Sequence, residues 1–153
     1  MRTGLYYAAA VLLAAADQVS KHFARALLPG RGTVELIPGV VGLSYVENTG
    51  MAFSSFSGYT GILACVSAAA AAALAWAIYQ KVLPRPFGQW MLTLLLAGAL
   101  GNLIDRALMG YVTDMIRLLF VNFAVFNVAD ICVTVGAFGL IFYLFFVESE
   151  AKR

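Results

Sequence analysis

Residues 101–136 read GNLIDRALMGYVTDMIRLLFVNFAVFNVADICVTVG, and they set Asp105, Asp114 and Asp130 among apolar side chains. A carboxylate at membrane depth costs about 2.5–3.5 kcal/mol on insertion scales, so acids in such surroundings usually face a protein interior and serve a function. The three aspartates therefore predict a polar site inside an otherwise apolar protein.

The composition indicates an integral membrane protein. Apolar residues make up 62% of the 153-residue chain and charged residues 12%, which is far from the balance of a soluble protein, and the length suits a single domain over residues 1–153. The net charge of +2 is too small to indicate a nucleic-acid partner. Cys65 and Cys132 both lie in apolar stretches, and the chain has a single His, so we expect no zinc site of the usual kind.

Four apolar stretches reach the roughly 20 residues that a helix needs to cross about 30 Å of hydrocarbon. They cover about 5–27, 59–82, 89–108 and 124–147. The sequence therefore predicts an all-α polytopic membrane protein with four transmembrane helices and both termini on one side. The positive-inside rule makes that side cytoplasmic, since it holds Arg2, Lys81, Arg85, Lys152 and Arg153 against Arg31 and Arg117 in the outer loops. Counting the basic residues at the outer helix ends as outer residues makes the two sides equal.

The outer loop 29–58 contains two short β-prone runs, TVELI and VVGLSYV, on either side of Pro38-Gly39. Such runs around a turn signal predict a strand pair over 33–46. Because a lone hairpin is marginally stable in water, we expect the pair to rest on the membrane surface or on the other outer loop. That other loop, the 16-residue connection 109–124, is apolar enough to lie along the membrane.

Asparagine and aspartate recur three residues apart near the outer ends of two predicted helices. Asn102 precedes Asp105 in the third helix, and Asn127 precedes Asp130 in the fourth. Residues three apart share a helix face, so each pair predicts a polar patch facing a neighbouring helix.

Asp17 and Lys21 stand at i and i+4 in the first helix, with the acid on the N-terminal side, which is the favourable order for an ion pair. We interpret the pair as a structural clamp between helices, although the residues alone also allow a place in the site.

Asp114 and Asp130 would come together if the outer loop folded back over the start of the fourth helix. Two carboxylates a few Å apart share one proton, because both cannot ionise, and the pair then holds an acid and a base at once. This equipment can activate a water against an amide. The same acids, together with Asp105, would also suit a small proton- or cation-coupled membrane carrier.

Five short stretches occur in order along most of the chain: D-Q-V-S-K at 17–21, E-N-T-G-M-A-F at 47–53, G-N-L-I-D-R at 101–106, V-T-D at 112–114 and F-N-V-A-D at 126–130. Together they resemble the motifs of the bacterial lipoprotein signal peptidases, also called signal peptidase II. The resemblance implies an intramembrane aspartic endopeptidase of the bacterial inner membrane. Such an enzyme removes the signal peptide from prolipoproteins by cleaving before a cysteine that already carries diacylglycerol.

The resemblance also implies roles for individual residues. The catalytic aspartates match Asp114 and Asp130. The positions expected to bind substrate or shape the site match Asn48, Gly50, Asn102, Asp105, Arg106, Asn127 and Ala129. The family fold implies a small β-cradle on the outer face, in agreement with the strand pair, and an active site near that face. Expected partners are diacylglyceryl-modified prolipoproteins and membrane lipids, with no metal or organic cofactor, and we expect the monomer to be active.

Overall fold

The computed structural model describes residues 2–50 and 59–147. The elements are α1 (Arg2–Leu27), β1 (Val34–Ile37), β2 (Val41–Asn48), α2 (Thr60–Tyr79), α3 (Pro86–Met109), β3 (Val112–Leu118) and α4 (Val128–Phe142), which a π-helical turn, Tyr143–Val147, prolongs. The last eight residues of the predicted outer loop 29–58 lie outside the described residues. So do the C-terminal basic residues that favoured a cytoplasmic terminus.

Three helices of the described chain are long and apolar enough to cross a membrane: Thr60–Tyr79, Pro86–Met109 and Val128–Phe146. Helix α1 has the length, with 26 residues, but its C-terminal half carries Asp17, Lys21 and Arg25. The predicted four spans therefore become three apolar helices and one helix with a charged face.

Helix α3 lies at the centre of the bundle and packs against α1, α2 and α4. Glycines allow this close approach, because a Cβ at Gly98 would stand 2.5 Å from the carbonyl oxygen of Ala129 on α4. A Cβ at Gly101 would stand 2.7 Å from Asp17 Oδ2 on α1. The two glycines set α3 against both neighbours at the level where the polar residues begin.

The predicted strand pair over 33–46 is present as β1 and β2, which pair antiparallel. Gly39 forms the turn with φ of 68°, a region that glycine enters without strain, and the amide of Val40 donates to the carbonyl of Ile37 at 2.9 Å. The sheet has a third member, β3, in the order β1-β2-β3.

Two predicted elements are wrong. The connection 109–124 is not simply a loop along the membrane, because Val112–Leu118 pairs antiparallel with β2 and puts Asp114 opposite Val46. Helix α4 begins at Val128 rather than near 124, because Phe126 is extended and exchanges hydrogen bonds with Ile116 at 2.8 and 3.0 Å. The start of the apolar run before α4 is therefore extended and bonded to the sheet, and the helix begins only after it.

Candidate active site

Asn127 and Asp130 begin α4 as a capping box. Asn127 Oδ1 accepts the amide of Asp130 at 2.9 Å, and Asp130 Oδ2 accepts the amide of Asn127 at 3.1 Å. The predicted shared helix face is therefore a helix cap. The sequence signal was present, since an Asn followed three residues later by an acid before an apolar run is a capping pattern. The cap holds Asp130 at the start of α4 through Oδ2, and the other carboxylate oxygen, Oδ1, points away from the cap.

Asp114 is the third residue of β3 and is 2% exposed. Its Oδ2 accepts Asn48 Nδ2 at 2.9 Å, and its Oδ1 accepts Asn127 Nδ2 at 2.7 Å. Asn127 thus donates to Asp114 through its side chain while it caps Asp130. One asparagine connects the two aspartates that the sequence predicted would meet.

Burial raises the pKa of the Asp114 carboxyl to about 6. The hydrogen bond from Asn48 opposes this rise, the nearby charge of Asp130 adds to it, and the hydrogen bond from Asn127 opposes it again. An acid that titrates close to neutral pH can both hold and release a proton under working conditions, which is what acid–base chemistry requires.

The amide of Asn102 has its orientation fixed by Lys21. Lys21 Nζ donates to Asn102 Oδ1 at 2.9 Å, and Asn127 Nδ2 is 3.2 Å from the same oxygen. A lysine ammonium has no acceptor, so the Asn102 oxygen faces it and Nδ2 donates to Asp130 Oδ1 at 2.8 Å. Each of the four carboxylate oxygens of Asp114 and Asp130 therefore accepts an N–H donor.

Asp17 and Lys21 form an ion pair at 2.8 Å in which both side chains are buried. Lys21 Nζ also lies 3.4 Å from Asp105 Oδ2 on α3, and Asp17 Oδ1 accepts the amide of Ala129 at 2.9 Å. The pair therefore joins α1 to α3 and to the first turn of α4, and Ala129 takes part through its backbone.

Asp105 is fully buried and accepts Gln18 Nε2 at 3.0 Å and the amide of Thr113 at 2.8 Å. Arg25 Nη1 lies 3.7 Å from its Oδ1. These partners belong to α1 and to the start of β3, so Asp105 connects elements around the site. Sequence reasoning gave no role to Gln18, Arg25 or Thr113. Arg25 could have been found, because it lies four residues after Lys21 on the same helix face.

Gly50 and Arg106 fix Asn48, the second asparagine that donates to Asp114. The amide of Gly50 donates to Asn48 Oδ1 at 2.9 Å, so Nδ2 of that asparagine is the atom that faces Asp114. Arg106 Nη2 donates to the carbonyl of Gly50 at 3.1 Å, and Nη1 lies 3.4 Å from Ser67 Oγ. Arg106 therefore holds the end of β2 against α2 and α3.

A cavity of about 330 Å³ lies beside Asp114. Val46, Asn48 and Asp114 line it together with the segment 122–125. One carboxylate and two amides, those of Asn48 and Asn122, thus line the cavity together with four apolar residues. Within residues 2–50 and 59–147, no group of three His, Cys, Asp or Glu side chains is placed to hold a metal ion.

These features define the class: a mostly helical membrane enzyme with a small sheet over one end of the bundle. The chain belongs to the signal peptidase II family, because the family described as Signal peptidase (SPase) II matches residues 9–146. It is 37% identical to the lipoprotein signal peptidase of Lactococcus lactis subsp. lactis over 90% of both chains. It is 33% identical to that of Enterococcus faecalis, over 97% of this chain and 92% of the other.

A solved structure gives the same result. A bacterial membrane enzyme determined by the in meso method at 2.3 Å resolution superposes with a TM-score of 0.88 at 30% identity, over 98% of this chain and 92% of that chain. The resemblance drawn from the five short motifs is thus confirmed. The carrier interpretation receives no support from these relatives.

Proposed function

We propose that this chain is an intramembrane aspartic endopeptidase that removes the signal peptide from diacylglyceryl-modified prolipoproteins by cleaving before the lipidated cysteine. The observation that carries the proposal is the position of Asn127, which donates to Asp114 at 2.7 Å while capping Asp130. The relatives named lipoprotein signal peptidase supply the substrate class.

The two carboxylates divide the chemistry of amide hydrolysis. We assign the shared proton to Asp114, because burial raises its pKa to about 6. Asp130, ionised, takes a proton from the water as its oxygen attacks the scissile carbonyl carbon, and Asp114 donates a hydrogen bond to the carbonyl oxygen. The tetrahedral intermediate collapses when Asp130 returns that proton to the leaving nitrogen and the C–N bond breaks. Asn102 and Asn127 hold Asp130 through both steps.

The place of the site suits a lipid-modified substrate. Asp114 lies on the sheet and Asp130 in the first turn of α4, where the apolar helix begins. Ile62 and Val66 on α2 and Phe138 on α4 are exposed, so they offer apolar surface to acyl chains. A substrate anchored by two acyl chains would then present its peptide to the cavity beside Asp114.

The orientation in the membrane follows from the same assignment. We assign α1 as the fourth span, with its charged face turned to α3 and α4 and its exposed face turned to lipid. Both termini then lie in the cytoplasm of the bacterial cell, and the sheet and the site lie at the outer face of the inner membrane. The site is built within one chain, in line with an active monomer.

The test is cleavage of a synthetic prolipoprotein peptide by the purified protein in detergent, with and without the diacylglyceryl group on its cysteine. Each buried CH₂ contributes about 0.8 kcal/mol, so removing two long chains should lower kcat/KM by orders of magnitude at low substrate concentration. Equal rates for the two peptides would contradict the lipid dependence, and no cleavage of either would contradict the peptidase assignment.

A further inference from the structure

We propose that Arg25 is a positioning residue that holds Asp114 in place through Thr113, in an inference that rests on the proposed function. Arg25 lies on α1 outside the motifs that carry the family resemblance. Thr113 directly precedes Asp114 in β3. The pair therefore connects the outer end of α1 to the strand that carries one of the two aspartates.

Thr113 is held from two directions. Its hydroxyl accepts Arg25 Nη1 at 2.9 Å, and its amide donates to Asp105 Oδ2 at 2.8 Å. Thr113 and Asp105 are both fully buried. One side of the threonine is thus fixed by α1 and the other by α3, so the residue before Asp114 cannot shift along the strand without losing a buried hydrogen bond.

The rest of β3 is tied to other parts of the sheet. Val46, Glu47 and Asn48 of β2 pair with its first half, and Phe126 bridges to Ile116 further along. Those contacts join β3 to its neighbours in the sheet. The contacts of Arg25 and Asp105 with Thr113 join the sheet to the bundle at the level of Asp114.

The charges around Arg25 explain why an arginine stands there. Its Nη1 lies 2.9 Å from Thr113 Oγ1 and 3.7 Å from Asp105 Oδ1, and its side chain is 23% exposed. Lys21 and Gln18 also face Asp105 from α1, at 3.4 and 3.0 Å. A planar guanidinium can address the hydroxyl and the carboxylate together, whereas an ammonium on the same helix addresses one point.

The experiment compares Arg25→Met, Thr113→Val and the double variant with the wild type on the lipidated peptide. Displacement of a catalytic group by about 1 Å can lower a rate by up to about 100-fold. We expect each single variant to lower kcat by roughly 10-fold with KM within about 2-fold, because neither substitution changes the surface of the enzyme that binds the substrate. The double variant should be scarcely worse than either single one, since both remove one interaction. Arg25→Lys should recover part of the rate.

Arg31→Met is the matched control, because Arg31 is an exposed arginine of the outer loop, six residues further along the chain. It should keep the wild-type kcat. Rates are taken per folded protein, from the monodisperse fraction, and thermal unfolding is measured in parallel. Thr113→Val is nearly isosteric, so it tests the inference even where Arg25→Met fails to fold.

The inference is overturned if Thr113→Val and folded Arg25→Met keep the wild-type kcat, whether or not their melting temperatures fall. Additive losses in the double variant would also overturn it. The proposed function fails separately, if the wild type leaves the lipidated peptide intact or if Asp114→Asn still turns it over.

Discussion

The two halves of α3 are packed by different means. In the half from Gly98 to Met109, Asn102 and Asp105 are hydrogen-bonded to α1, α4 and β3. In the half from Pro86 to Ala97, Met91 and Leu95 pack on glycines of α4. The first of these, the outer half in the proposed orientation, combines close glycine contacts with hydrogen bonds of fixed direction, whereas the second, the inner half, is packed by side-chain volume. Substitutions that keep volume but remove a hydrogen bond should therefore harm the outer half far more than the inner half.

Hydrogen-bond donors of fixed direction surround the outer half of α3. Lys21 can only donate, so it orients Asn102, and the amide of Gly50 orients Asn48 in the same way. The two asparagines then present N–H groups to Asp130 and Asp114. The direction of these hydrogen bonds orients the two aspartates that we propose as catalytic, whereas side-chain volume in the inner half sets the separation of α3 and α4.

The largest effect that would test this difference is the loss of a buried charge. Asp17→Ala leaves Lys21 with one fewer acid and the amide of Ala129 without its acceptor, so we expect a loss of ~3–5 kcal/mol of stability. Thermal unfolding in detergent measures it. Replacing Asp17 by Ala and Lys21 by Met together removes both charges of the pair and should recover part of the loss. If Asp17→Ala loses activity at unchanged stability, the clamp interpretation is wrong and Asp17 belongs to the site.

A second test concerns Asp114 on β3, next to the outer half of α3, and asks whether this buried carboxyl weakens the fold when it ionises. The pKa of Asp114 in the folded protein, about 6, lies above its ordinary value of 3.8. Its contribution to the stability of the fold is therefore fully present below pH 3.8 and is lost as the pH rises through 6. Asp114→Asn removes this titration. The stability of the variant relative to the wild type should therefore rise by about 2 kcal/mol between pH 4 and pH 8, at 1.36 kcal/mol per pKa unit, because part of the titration of the unfolded state lies below pH 4.

Unfolding by denaturant at a series of pH values measures this relative stability. A difference between Asp114→Asn and the wild type that stays constant from pH 4 to pH 8 would contradict the raised pKa of Asp114. Asp105→Asn is unsuitable as a control, because Asp105 bonds to the Thr113 amide. Glu35→Gln is suitable, because its carboxylate meets the turn amide of Gly39 at the exposed edge of the sheet.

The smallest effect concerns the inner half. A Cβ at Gly136 would stand 3.0 Å from the carbonyl oxygen of Met91 and 3.1 Å from the amide nitrogen of Leu95, which are backbone atoms. Gly136→Ala should therefore push α3 and α4 apart and cost about 1–3 kcal/mol of stability, with kcat per folded protein unchanged. A Cβ at Gly139 meets the flexible end of Met91 instead. Gly139→Ala is the control, and an equal loss in both variants would show that backbone contact is not the cause.

Hydropathy and short-range spacing predicted much of this fold. The helices followed from apolar runs of about 20 residues, and the hairpin from β-prone runs around Pro38-Gly39. The third strand could not be predicted in this way. Asp114 pairs with Val46, which lies 68 residues earlier in the chain with α2 and α3 between them. A strand whose partner is so distant leaves no local pattern when its neighbours are also apolar.

The sequence predicted which residues form the candidate site better than it predicted the hydrogen bonds between them. The resemblance named Asp114 and Asp130, but the interval Asn127 to Asp130 was interpreted as a helix face because the run before it is apolar. The extended Phe126 ends that run and makes Asn127 a cap. Arg25 and Thr113 were missed, because a contact between a helix and a strand about 90 residues apart depends on the tertiary structure.

The central claim is that Asp114 and Asp130 act as one catalytic unit, and the direct measurement is the initial cleavage rate of lipidated peptide beside binding of the same peptide. Asp114→Asn and Asp130→Asn keep the side-chain shape but can neither accept nor supply the proton, so turnover should fall at least ~100-fold while binding survives. The double variant should be scarcely worse than either single one. Near wild-type turnover in either single variant would contradict the claim and make Asp105 the next candidate partner.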